Sequence, residues 1–264
     1  MFGKEQAEFY RRNGYVLIEG LLEPPEVERL RREADAALDR MNAARMDTNK
    51  LWKGEWLGDE ERRTQRLDAI HDMQFQAAAF TELLLNSRLL DAVEWLIGPN
   101  IQLHHTKLLA KPPHKGGAFP MHQDYPYFPH ERHSMMAVSI YLDDATMENG
   151  CICVYPGSHK LGPLPCDPGG FYLPPAQYPI EKAVPVPARA GDAVAFNYLT
   201  IHGSAPNRSS RPRRNILIQM RDPADRPTNE FHQSRGQGMM LRGINPLPFG
   251  AAWENAQPAG AGGR

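Results

Sequence analysis

In Met121-His122-Gln123-Asp124 an imidazole and a carboxylate stand two positions apart. On an extended strand alternate side chains share a face, so His122 and Asp124 reach a common point while Gln123 points the other way. A His-x-Asp tripeptide is common by chance, and its weight depends on a distant partner. The partner is His202, in Thr200-Ile201-His202-Gly203-Ser204, which follows a tight turn and an apolar run over residues 189–197. That order predicts His202 just beyond the end of a strand, near a barrel mouth. Two imidazoles and one carboxylate on one face of a metal are the donor set of mononuclear non-haem iron(II) centres, with three adjacent positions left open. His122, Asp124 and His202 are therefore the candidate metal ligands and catalytic residues. Taken alone, His202 would read as a hydrogen-bonded core or surface histidine.

Eleven positions after His202, past the turn-rich loop 203–212, comes Arg213. An antiparallel return of that length brings it back beside the metal. A planar guanidinium there would clamp a carboxylate bidentately. The neighbouring Arg211 and Arg214 read as a solvated basic turn. Among the other histidines, His114, His130, His133 and His159 lie in polar loops and read as exposed. His71 could line a pocket. His105 shares strand parity with Lys107, so the two face a barrel interior together or not at all. Trp52 and Trp56 occupy a charged, irregular stretch and read as packing rather than as a substrate lid.

The elements that must position these groups change character along the chain. A short polar helix over 4–12 precedes a strand over 15–19. Pro24 and Pro25 open a helix whose Val27, Leu30, Ala34, Leu38 and Met41 form a one-sided apolar stripe. A second helix over 80–97 stops at Gly98-Pro99. From Ile101 short β-type runs follow, over 101–109, 135–142, 151–155, 193–197 and 215–220, separated by Pro- and Gly-rich segments. This pattern predicts a mainly β antiparallel sandwich or barrel covered by N-terminal helices. No internal repeat or dividing linker is visible. One domain is expected over 1–264: a mostly helical flank to 100, a β core over 101–222 and a C-terminal extension over 223–264, disordered at its end.

Composition narrows the function classes. The 264 residues carry 30 Lys plus Arg against 31 Asp plus Glu, a net charge of -1, which gives no global pull toward nucleic acid or anionic membranes. Cys151, Cys153 and Cys166 form no paired framework and read as reduced thiols of a cytoplasmic protein. No signal peptide or bilayer-spanning run is seen.

Taken in order, these residues resemble the phytanoyl-CoA dioxygenase family of Fe(II)/2-oxoglutarate-dependent oxygenases. The resemblance runs through Lys111-Pro112-Pro113, His122-Gln123-Asp124 with Tyr127-Phe128, and Glu148-Asn149-Gly150-Cys151. It continues through Pro156-Gly157-Ser158-His159-Lys160 and Gly191-Asp192 to His202-Gly203-Ser204 and Arg213. It implies a double-stranded β-helix (jelly-roll, cupin-like) core, with iron on His122, Asp124 and His202. Arg213 would bind the distal carboxylate of 2-oxoglutarate, with Ser204 and Gln123 assisting. A lysine that serves the co-substrate in the family's acyl-CoA member has no counterpart in Asp68-Ala69-Ile70-His71-Asp72.

The implied reaction consumes 2-oxoglutarate and O2, releases succinate and CO2, and hydroxylates a small molecule. Related halogenases have a small residue where Asp124 stands, so the carboxylate favours hydroxylation or another oxidation. The competing reading is a non-oxygenase cupin-type protein, a metal-dependent isomerase or small-molecule binder, which needs no carboxylate clamp at Arg213. An acyl-CoA thioester, an amino-acid-like metabolite or a natural-product intermediate are the candidate substrates, with a small metabolite preferred.

Overall fold

The computed structural model describes residues 2–52, 57–168, 170–229 and 234–246. Its strands are β1 (Tyr15–Ile18), β2 (Asp68–His71), β3 (Ile101–Lys111), β4 (Phe119–His122), β5 (Met136–Tyr141), β6 (Ile152–Val154), β7 (Val184–Val186), β8 (Ala193–Asn197), β9 (His202–Ser204), β10 (Arg213–Arg221) and β11 (Met240–Arg242). They form two antiparallel sheets. The larger runs β1-β8-β5-β10-β3-β11, with β2 also paired to β3, and the smaller runs β4-β9-β6-β7. This is the expected double-stranded β-helix.

Period-two alternation gives the large sheet two different faces. Leu108 on β3, Val138 and Ile140 on β5, Ala193 and Ala195 on β8, and Ile216 and Ile218 on β10 point outward. There they join the main core with Val27, Leu30 and Ala34 of helix α2 (Pro24–Ala43). Lys107, Leu109, Ser139, Tyr141, Asn215 and Leu217 point inward, toward the small sheet, and line the cavity between the sheets. The helices α1 (Lys4–Asn13), α2, α3 (Asp59–Thr64), α4 (Ala78–Leu84) and α5 (Ser87–Ile97) all precede β3.

The run expected as one helix over 80–97 is two. α4 ends at Leu84 with Leu85 as its C-cap, and the Asn86 side chain accepts from the Leu89 N–H at 3.2 Å, capping α5. The flank before residue 100 is also less purely helical than expected: β1 extends the sheet beside β8, and β2 pairs with β3. On the other side of the core, β11 adds a strand from the C-terminal extension. The expected tail disorder and Trp56 lie outside the described residues. Among the described residues no helix is long and apolar enough to cross a membrane.

Candidate active site

Strands β4 and β9 pair so that His122 lies opposite His202. Each imidazole is fixed by a backbone carbonyl: His122 Nδ1 meets Pro120 O at 2.7 Å, and His202 Nδ1 meets Thr200 O at 2.9 Å. A carbonyl only accepts, so both Nδ1 atoms carry a proton, and both Nε2 atoms are turned toward Asp124. Asp124 reaches the same point by a route other than strand alternation. β4 ends at His122, and Asp124 has helical backbone angles (φ -76°, ψ -19°) at the head of the 3-10 turn Tyr125–Tyr127. Its N–H donates to Tyr198 O at 2.9 Å. Its Oδ1 lies 3.6 Å from His122 Nε2 and 3.9 Å from His202 Nε2. The three donor atoms fall within 4.8 Å of one another, and all three residues are buried.

Burial opposes ionisation of Asp124, but the adjoining His202 and His122 outweigh it and hold the carboxyl below its usual range. Burial and the neighbouring His122 push His202 down to about 4, so it is neutral near pH 7. A carboxylate and two imidazoles whose Nε2 atoms converge on it fit a divalent ion of the iron class. Gln219, on β10, donates to Asp124 Oδ2 at 2.6 Å and orients it. The sequence signal for Gln219 is its shared parity with Arg213, Asn215 and Leu217.

The triad opens into a cavity of about 450 Å³ lined from both sheets. Arg213 stands at one end. It is 4% exposed and, among the described residues, pairs with no acid and leaves its Nε without a hydrogen-bond partner. One of its amino groups donates to Asn215 Oδ1, and Asn215 Nδ2 in turn donates to Ser139 Oγ at 2.8 Å. Directly across the strand pair lies Lys111, fully buried. Its ammonium donates to Ser204 Oγ at 2.7 Å and also to Ala205 O. Burial and then Arg213 push the Lys111 pKa well down. Burial and the facing Arg213 both disfavour charge on Lys111, a penalty that an arriving anion would relieve. Arg213 and Ser204 both line this end of the cavity, and the Lys111 ammonium stands behind Ser204 Oγ. The sequence shows Lys111 only as the start of Lys111-Pro112-Pro113, with no sign that its ammonium reaches Ser204.

Three expectations need correction, and a fourth, that Trp52 packs, gains a location. Gln123 does not face the cavity: its side chain donates to Leu199 O at 2.7 Å and to Gly162 O at 3.0 Å, and accepts from Leu164 N at 2.8 Å. It lies past the end of β4, and backbone groups take both its N–H donors and its carbonyl oxygen. Arg214 is not a solvated turn residue; its ion pairs with Asp143 (2.8 Å) and Asp35 (2.5 Å) fasten β10 to α2. His130 is buried, its Nδ1 on Phe128 O at 2.8 Å, because its loop folds beneath Tyr198. Trp52 packs, but over the site: its ring lies 4.7 Å from that of His122 and lines the cavity. His71, His105 and Lys107 line the cavity as well.

A profile described as "Phytanoyl-CoA dioxygenase (PhyH)" matches residues 10–215. The chain is 31% identical over 235 residues to a peroxisomal phytanoyl-CoA dioxygenase of Bos taurus, covering 83% of this chain and 68% of that protein. It is 27% identical over 262 residues to an ectoine dioxygenase of Nocardia farcinica, covering 85% and 83%. Among solved structures, an epimerase of nogalamycin biosynthesis in complex with Fe3+, alpha ketoglutarate and nogalamycin RO superposes with a TM-score of 0.67. That match is at 25% identity and covers 91% of this chain and 96% of the other.

Proposed function

The chain belongs to the phytanoyl-CoA dioxygenase family, and from that premise we propose that it hydroxylates a small molecule with iron on His122, Asp124 and His202 and 2-oxoglutarate on Arg213 and Ser204. Dependence on Fe(II), 2-oxoglutarate and O2 is the activity of an Fe(II)/2-oxoglutarate dioxygenase, and this protein is one. The observation that carries the residue assignment is the pairing of a convergent His-Asp-His set with a buried Arg213 that has no acid partner among the described residues, in one cavity.

When bound, iron supplies the oxidising chemistry: substrate C–H, 2-oxoglutarate and O2 give substrate C–OH, succinate and CO2. The protein's part is binding, orientation and exclusion of water. Pro120 O and Thr200 O lock the two imidazole tautomers, and Gln219 fixes the carboxylate. Arg213, Lys111 and Ser204 fix the far end of the co-substrate. Trp52 and Phe119 cover His122 and keep that side dry. A metal-dependent epimerisation is the second reading, favoured only by the nogalamycin-pathway neighbour.

The test is anaerobic titration of Fe(II) and then 2-oxoglutarate, read by the visible absorbance of the chelate. Wild type should give the band and Asp124→Ala should lose it together with succinate formation. An Asp124→Ala protein with unchanged iron affinity and turnover would refute the ligand set. Under labelled O2, one label in the organic product supports hydroxylation, and an unlabelled isomer supports epimerisation.

A further inference from the structure

We propose that Lys107 binds an anionic group of the primary substrate, so that the substrate class is small carboxylic or similarly anionic acids; the proposal rests on the oxygenase reading of the same cavity. Lys107 lines the cavity from β3, and among the described residues it has no hydrogen-bond or ion-pair partner. The cavity's two acids are engaged elsewhere. Asp124 belongs to the triad and to Gln219, and Asp72 accepts from Ser234 Oγ at 2.5 Å. Burial pushes the Lys107 pKa down, and the charge of Asp124 only partly offsets this. A half-buried ammonium facing an apolar-walled cavity is unfavourable unless an anion meets it there.

Position separates this cation from the co-substrate end. On β3 and β10 the opposed pairs are Lys111 with Arg213 and Lys107 with Leu217. Four residues of strand, roughly 13 Å, divide the two pairs. A five-carbon diacid clamped at Arg213 and chelated at the triad occupies the Lys111 end. Lys107 stands toward the open side, where its cross-strand partner His71 is exposed. An anion seated there would lie beside the open metal positions, where a substrate C–H bond must come.

The test uses the full chain loaded with Fe(II) and 2-oxoglutarate without oxygen. Calorimetric binding is measured for a set of small carboxylic acids, each paired with its neutral carboxamide. At least one acid should bind wild type about tenfold or more tightly than its amide, the scale of one hydrogen bond to a charged group. Lys107→Met should reduce that acid to the level of its amide, and Lys107→Arg should restore part of the difference. Affinity for 2-oxoglutarate should stay within about threefold in Lys107→Met. Equal binding of acids and amides to wild type, absence of acid binding, or acid binding indifferent to Lys107→Met overturns the proposal. A selective loss of 2-oxoglutarate affinity in Lys107→Met also overturns it, because Lys107 would then serve the co-substrate. A wild-type protein that forms no iron chelate with 2-oxoglutarate would instead defeat the oxygenase site assignment, a separate outcome.

Discussion

Arg213 is the residue on which the oxygenase reading turns. A buried guanidinium without an acid partner is tolerated only if its partner comes and goes. Arg213→Ala should weaken 2-oxoglutarate binding by roughly 2–5 kcal/mol, the range for truncating one side of a buried charged pair. Lys111 and Ser204 remain in place, so the loss should fall toward the lower part of that range. Iron affinity should persist, since no ligand changes. Arg213→Lys should recover part of the loss, because an ammonium lacks the fork. Arg211, which is exposed, is the proper control. Arg214 is not one, because its removal would unfasten α2 from β10. Anaerobic titration of iron-loaded protein checks all of these, and equal 2-oxoglutarate affinities for wild type and Arg213→Ala would contradict the clamp.

At the scale of elements, the short strands β4 and β9 bring the ligands together. Their pairing steps irregularly from Phe119↔Ser204 to His122↔His202, and Gly203 fills the irregularity. A Cβ there would sit 2.7 Å from Met121 Sδ and 2.9 Å from Phe119 O. Gly203→Ala should therefore cost about 1–3 kcal/mol, as overpacking does. The cost should fall on the His122–His202 approach, lowering iron affinity more than it lowers the melting temperature. Iron titration beside thermal unfolding separates the two.

These strands also mark where the sequence was silent. β3, β5, β8 and β10 are long enough to show alternation and were legible, as was the offset from His202 to Arg213. β4, β9 and β7 span only three or four residues, too few for a period. Lys111 was hidden for another reason: a lysine before two prolines looks like a turn charge, and only the pairing with β10 shows it buried. Gln123 was misassigned because adjacency in sequence to two ligands says nothing about which face a side chain takes.

At the scale of the molecule, the N-terminal flank is tied to the metal strand. The corner between α1 and β1 turns at Gly14 (φ 80°), whose carbonyl accepts from Thr200 Oγ1 at 2.7 Å and from Asn197 N at 2.9 Å. Thr200 O in turn fixes the His202 tautomer. A side chain at Gly14 would collide with the His159 ring and with Thr200. Gly14→Val should cost about 2 kcal/mol or more, from backbone strain and collision together. It should also weaken iron binding although residue 14 lies outside the cavity. Normal iron affinity in a destabilised Gly14→Val protein would show that the flank only adds stability.

The facing of buried Lys111 and Arg213 makes durability conditional on supply. A ligand that binds only the folded form raises its stability by mass action, about 2.7 kcal/mol at a hundred times its dissociation constant. Here the ligand also relieves a repulsion built into the empty fold. Thermal unfolding of iron-loaded protein should shift upward with 2-oxoglutarate, and the shift should shrink in Arg213→Ala. The ligand-free variant should melt no lower than wild type, because the repulsion between Arg213 and Lys111 is gone. Resistance to proteolysis would then track co-substrate concentration, and the abundance of the folded enzyme would become a gauge of its own feedstock.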